Sequence, residues 1–190
     1  MTLTLRPHQT KAVKAMLRNT KGQIIIPTGG GKTMCMIDDA MNEFSRTVLS
    51  KTIVVVAPRI LLANQLSAEF LYHNLDGAAE SNATVNVMHV HSGETHHFST
   101  TNVDEIRQFN YDTACDQKHL LIFTTYHSLH KIQESNIVVD TIYFDEAHNS
   151  VQKNFFPATE HFSHFAERCY YFTATPKHSR SPVKAGMNWP

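Results

Sequence analysis

The sequence has no surplus of charge: 17 lysines and arginines are matched by 17 aspartates and glutamates. No net field therefore draws the chain to a polyanion, and any such partner must be held by a local patch. Cysteine is scarce and unpaired. Cys35, Cys115 and Cys169 stand far apart with no CxxC among them, which excludes a disulfide framework and fits reduced thiols in the cytoplasm. The amino terminus, MTLTLRPHQTKAV, has no apolar h-region. No run approaches the roughly 18 apolar residues of a membrane span, so a soluble protein without membrane contact is expected. Internal repeats and low-complexity linkers are lacking too. What is present is 42% apolar and 18% charged residue content over 190 positions, enough for one α/β domain with a real core.

Short apolar runs alternate with stretches of helical periodicity, the pattern of a parallel sheet covered on both faces. Proline at its start and Val13, Met16 and Leu17 on one face predict a helix from Pro7 to about Arg18. Strands are expected over Gln23–Ile26, Ile53–Ala57, Thr84–His91, Leu120–Thr124, Thr141–Phe144 and Tyr170–Thr173. Met34, Ile37, Met41 and Phe44 mark a second helix, Leu62, Leu66 and Phe70 a third, and Phe155 to about Arg168 a fourth. The polar stretch from Ser92 to Lys118 reads as irregular, and KHSRSPVKAGMNWP after Pro176 has no core periodicity.

The strongest local signal is a strand, then Pro27-Thr28-Gly29-Gly30-Gly31-Lys32-Thr33, then a helix. Glycines let backbone N–H groups turn inward around phosphate oxygens, and a helix N-terminus adds partial positive charge. Lys32 would reach the β- and γ-phosphates of ATP and the Thr33 hydroxyl would ligate Mg²⁺. The strict pattern begins with glycine six residues before the lysine, where this chain has Ile26. A plain glycine-rich turn is the competing reading. The second signal is Ile142-Tyr143-Phe144-Asp145-Glu146-Ala147-His148, an acidic pair at the end of a buried strand. Ligands of open α/β sheets sit at the carboxyl ends of strands. There Asp145 can hold Mg²⁺ and Glu146 can orient and deprotonate the attacking water, although acidic pairs also commonly start helices.

Together with Thr173-Ala174-Thr175-Pro176, these motifs resemble the first RecA-like domain of superfamily 2 helicases. The resemblance points to the DEAH-bearing branch of DNA helicases and of the motor subunits of type I and III restriction enzymes. It runs from Leu5 to Pro176 in the family's order. It implies a three-layer P-loop NTPase fold over residues 1–176, with 177–190 a tail or the start of an interdomain linker and the second RecA-like domain absent. Leu5-Arg6-Pro7-His8-Gln9 is similar to the adenine-reading segment, which would place Gln9 on adenine through its amide and Arg6 near the base. Gln9 as an exposed helix residue is the alternative. Ala57-Pro58-Arg59 and Thr124-Thr125-Tyr126-His127-Ser128-Leu129 are similar to motifs that grip nucleic-acid phosphates, which nominates Arg59 and Thr125. A solvated Arg59 and a core-capping Thr125 compete with that assignment, and Ser92-Gly93 reads as a plain turn before it reads as a further backbone contact. Thr173, Thr175 and His148 resemble the relay that couples nucleotide state to the second domain.

The resemblance further implies Mg²⁺ and ATP, a nucleic-acid partner (DNA before RNA), and a chain that is monomeric and nearly inactive alone. The missing domain supplies arginine fingers worth roughly 10³–10⁵ in rate. A non-hydrolysing ATP-binding regulatory module, an RNA helicase domain and a P-loop kinase are the alternatives. The last would need an acceptor pocket, and no lid arginines are apparent. Thirteen histidines include the group His89, His91, His96 and His97. His89 and His91 would share a strand face in acceptable zinc geometry. With no cysteine to partner them, they read as surface or loop histidines.

Overall fold

A computed structural model of the protein describes residues 4–75 and 84–176. Helices α1 (Pro7–Arg18), α2 (Lys32–Ser45), α3 (Ile60–Leu75), α4 (Val103–Cys115), α5 (Leu129–Ser135) and α6 (Phe156–Phe165) alternate with seven strands. The strands are β1 (Lys21–Ile25), β2 (Thr52–Ala57), β3 (Val85–Val90), β4 (Phe98–Ser99), β5 (His119–Thr125), β6 (Thr141–Phe144) and β7 (Arg168–Thr173). They form one sheet in the order β1-β7-β6-β2-β5-β3-β4, and every pairing is parallel.

The central strands explain this arrangement. All six residues of β2 and all seven of β5 are buried, so both strand faces must be covered, as in a parallel sheet between two helical layers. Successive β2 residues point to opposite layers. Ile53 and Val55 join Met16, Met36, Ile37 and Phe70 from α1, α2 and α3. Val54 and Val56 join Ile106, Leu129, Ile132 and Phe162 from α4, α5 and α6. Because every strand runs the same way, the segments following β1, β2, β3, β5, β6 and β7 all emerge at one edge of the sheet.

The expected α/β architecture is the observed one, with corrections of detail. The stretch 92–118 is not irregular: it holds β4 and the 13-residue α4. The Asn102 side chain caps α4 by accepting from the N–H groups of Asp104 and Glu105 at 2.9 and 3.3 Å, and those two acids suit its positive end. Its buried side chains are only Ile106 and Thr113, too narrow a stripe to stand out in sequence. The seven-residue α5, which had not been expected, stops at Asn136 in left-handed conformation (φ 55°). Arg168, expected at the end of the last helix, instead opens β7, because the chain turns extended at Ala166. No described helix is long and apolar enough to cross a membrane. The expectation for 177–190 lies outside the described residues.

Candidate nucleotide site

The loop after β1 is built around its glycines. Gly29 and Gly31 have φ of +76° and +78°, where side chains are strained. A Cβ on Gly30 would run into the Ile26 side chain and lie 2.9 Å from the Pro27 carbonyl oxygen. Ile26 itself is buried and still donates its N–H to the Thr173 carbonyl at 3.1 Å. Where the strict pattern has its first glycine, this chain therefore extends the sheet by one residue, and the turn begins at Pro27. Pro27, Thr28 and Gly29 are exposed at the mouth, while Lys32 and Thr33 open α2 half-buried.

α1 braces this loop. Gln9 is buried rather than an exposed helix residue. Its Oε1 accepts from the Arg6 N–H at 2.7 Å, and its Nε2 donates to the carbonyls of Gly30 (3.1 Å) and Gly31 (3.3 Å). The His8 Nε2 also lies 2.8 Å from the Gly30 carbonyl oxygen. Arg6 is exposed at the mouth of the site. The bracing by Gln9 and His8 was not legible in the motif, which gives residue types without partners.

The acidic pair meets the loop. Lys32 Nζ donates to Glu146 Oε1 at 2.8 Å across 114 positions. The other carboxylate oxygen lies 3.5 Å from His148 Nδ1, which in turn lies 3.3 Å from Thr173 Oγ1. The Thr173 hydroxyl also accepts the Thr175 N–H at 3.2 Å, so a chain of polar contacts runs from Lys32 through Glu146 and His148 to Thr173 and Thr175. Asp145 sits beside it. Burial, then the neighbouring Glu146 charge, pushes its carboxyl up to about 6, with Lys32 opposing. Glu146 adopts φ 45°, ψ 53°, left-handed for a non-glycine residue.

The nominated nucleic-acid residues share the same sheet edge without converging on this loop. Arg59 follows β2 and is exposed. Thr125 ends β5, is 4% exposed, and its hydroxyl accepts the Ser128 N–H at 3.3 Å. In this arrangement it caps its own turn. Gly93 packs on Ile60, whose side chain a Cβ would strike, so that glycine is demanded by packing.

The histidine expectation needs correction. His89, on β3, and His91, just after it, are buried rather than at the surface, while His96 and His97 lie in the loop before β4 as expected. His89 Nδ1 and His91 Nε2 lie 3.0 Å apart, with Ser67 Oγ 3.0 Å from His89 and Asn64 Oδ1 3.1 Å from His91. Burial, then the charges of His91 and His97, lowers His89 to about 4. These rings line a cleft of about 880 Å³ at the far end of the sheet. No three histidine, cysteine or acidic side chains among the described residues are grouped to hold a metal. The candidate nucleotide site is instead the P-loop edge, where Lys32 contacts Glu146 beside Asp145.

A parallel sheet with a glycine loop after β1 and an acidic pair after β6, two strands away, defines the class: this is a P-loop domain of RecA-like fold. Three solved structures share it. The type ISP restriction-modification enzyme LlaGI, in a nuclease-deletion form complexed with a DNA substrate mimic, matches with a TM-score of 0.78 and 24% identity over 96% of this chain and 19% of that one. The ATP-dependent type ISP enzyme LlaBIII bound to DNA gives 0.75 and 22% over 95% and 13%. The UvsW helicase from bacteriophage T4 gives 0.68 and 14% over 96% and 57%. The chain thus spans well under two thirds of each of these proteins. Comparison with curated protein sequences found no match. Residues 2–178 match the family described as type III restriction enzyme, res subunit, and the chain belongs to it. It is a RecA-like first domain of the superfamily 2 helicase type, the ATP-binding half of that architecture.

Proposed function

We propose that this domain, joined to a second RecA-like domain, hydrolyses ATP to drive movement along nucleic acid. The carrying observation is the 2.8 Å contact of Lys32 with Glu146, linked through His148 to Thr173. A structural role alone gives no reason for a left-handed acidic turn to face a glycine loop at positive φ.

The residues present fit the groups required. The Gly29–Gly31 turn fits a phosphate cradle: Gly29 opens onto free space, and the loop N–H groups not spent within the turn, as Gly30's is on the Pro27 carbonyl, join Lys32 as donors. Thr33 and Asp145 would hold Mg²⁺, which supplies charge neutralisation on the phosphates and takes its remaining ligands from phosphate and water. Lys32 exchanges its carboxylate partner for phosphate oxygens when nucleotide enters, and Glu146 is then free to take the proton of the attacking water. His148, poised between Glu146 and Thr173, carries the change toward Thr175 and the second domain. Arg6 and Gln9 border the adenine end. Gln9's amide is engaged by the loop, so its first duty is to hold the loop that holds the phosphates.

Arg59 is assigned to nucleic-acid phosphate, and Thr125 joins it only if its turn reopens. DNA is preferred over RNA because LlaGI and LlaBIII are described in complex with DNA. Residues 1–176 form the domain, 177–190 are a tail or the start of a linker to the second, and the chain alone is a cytoplasmic monomer of very low turnover. The alternative is a module that binds ATP and never hydrolyses it.

The test is phosphate release with the second domain supplied, with and without duplex DNA or RNA. Stimulation by nucleic acid, lost in Glu146→Gln while fluorescent ATP analogue binding persists, is expected. ATP binding with no phosphate release under any of these conditions would leave the binding module as the better reading. Failure to bind ATP at all removes both.

A further inference from the structure

We infer that Tyr126 is a positioning residue for the acidic turn, tying the end of β5 to the carboxylates at the end of β6. This rests on the reading of Asp145 as a metal-holding group. Tyr126 is buried, and its hydroxyl donates to the Asp145 backbone carbonyl at 2.8 Å. Its ring stacks between Phe144 and Phe155, with centroids 6.0 and 5.8 Å away. The residue after that carbonyl is Glu146 at φ 45°, a conformation that a side-chain-bearing residue holds only when its surroundings over-determine it. Two hydrogen-bonding side chains supply that constraint. Tyr126 takes the carbonyl before Glu146, and Asn149 Nδ2 donates to the carbonyl of Glu146 itself at 2.9 Å. The Asp145 N–H is fixed to the Val56 carbonyl at 2.8 Å. With both flanking peptides pinned, the backbone that carries the Asp145 and Glu146 side chains is held in place.

Tyr126 is also the residue immediately after Thr125, whose hydroxyl caps the next turn through Ser128. A movement of the β5 end therefore acts on the Asp145–Glu146 peptide through one hydrogen bond. That is a direct route between the edge assigned to nucleic acid and the carboxylates.

Tyr126→Phe removes the hydroxyl and keeps the ring. Affinity for a fluorescent ATP analogue is measured with Mg²⁺ and again with EDTA, for the wild-type chain, Tyr126→Phe and Asp145→Asn, alongside thermal melts. In the wild type Mg²⁺ strengthens binding, and Asp145→Asn abolishes that gain. Tyr126→Phe is expected to shrink the gain about fivefold, the size of one buried hydrogen bond, with EDTA binding unchanged and melting shifted only slightly. A purely structural role would move the melt, or both affinities together, and leave the gain intact. A full Mg²⁺ gain in Tyr126→Phe beside its loss in Asp145→Asn overturns the role of Tyr126 alone. No gain in the wild type, or a gain surviving Asp145→Asn, overturns the reading of Asp145 and the inference with it.

Discussion

The two edges of the sheet treat charge differently. At the amino ends of the strands, Arg168 is saturated. Its Nη2 and Nη1 reach both oxygens of Asp39 at 2.7 and 3.0 Å, Nη1 reaches Glu43 at 2.6 Å, and Nε reaches the Tyr170 hydroxyl at 3.0 Å. Tyr143 and Thr141 donate to the same carboxylates, each at 2.6 Å. Burial alone would lower the guanidinium, but the hydrogen bond and charge of Asp39 outweigh it and hold it protonated. At the carboxyl ends, Lys32 makes one contact to Glu146, and the side chains remain 11% and 29% exposed. A saturated network fixes β7 against α2. A single, accessible pair has donors and acceptors left over, which is what exchange with a phosphate requires.

The largest expected effect lies at the open edge. Glu146→Gln in the two-domain protein should cut nucleic-acid-stimulated turnover by about 10²–10⁴, the range of general-base loss, with ATP binding kept. Turnover within threefold of wild type would show that Glu146 is not the base. Next comes the closed edge. Arg168→Met leaves the buried Asp39 and the half-buried Glu43 without their cation, and denaturant unfolding should register a loss of about 3–5 kcal/mol. A loss under about 1 kcal/mol would mean the network is not the fastener described.

A third test uses the histidine cleft, which belongs to neither edge pattern. His89 falls from 6.5 to about 4 on burial, so the unfolded chain binds the extra proton and stability drops as pH falls below 6.5. From pH 7.5 to pH 5 the loss from this group is about 2 kcal/mol, with His91, also lowered, adding in the same direction. Chemical denaturation at the two pH values should show a shallower slope in His89→Gln, whatever its baseline; an unchanged slope refutes the assignment. The smallest effect sharpens the contrast of edges. Lys32→Met should alter unfolding free energy by no more than about 1 kcal/mol while abolishing nucleotide binding, separating stability from function where Arg168 joins the charge network to the fold.

Much of the site was legible because its signals are local. Glycines at positive φ, a lysine and a threonine opening a helix, and two acids ending a strand each leave a mark within a few residues. The same holds for β2 and β5, whose unbroken apolar runs announce burial on both faces. The hidden parts share a different property. α4 buries too few residues to show a period, and α5 is too short to show one. His89 and His91 look polar in sequence yet are buried, because Ser67 and Asn64 from α3 meet their nitrogens. Gln9 reads as a base contact until its amide is found holding Gly30 and Gly31.

The residue pattern by itself determined the α/β class, the glycine loop after β1 and the acidic pair after β6, since backbone conformation and periodicity are properties of short segments. Strand order was decided only in three dimensions. Placing β7 and then β6 beside β1 brings Lys32 to Glu146 across 114 positions, and placing β5 next to β2 lets Tyr126 pin the turn after β6. Those meetings follow from which strands exchange hydrogen bonds across the sheet, a choice made by the packing of the whole core and written in no single stretch of chain.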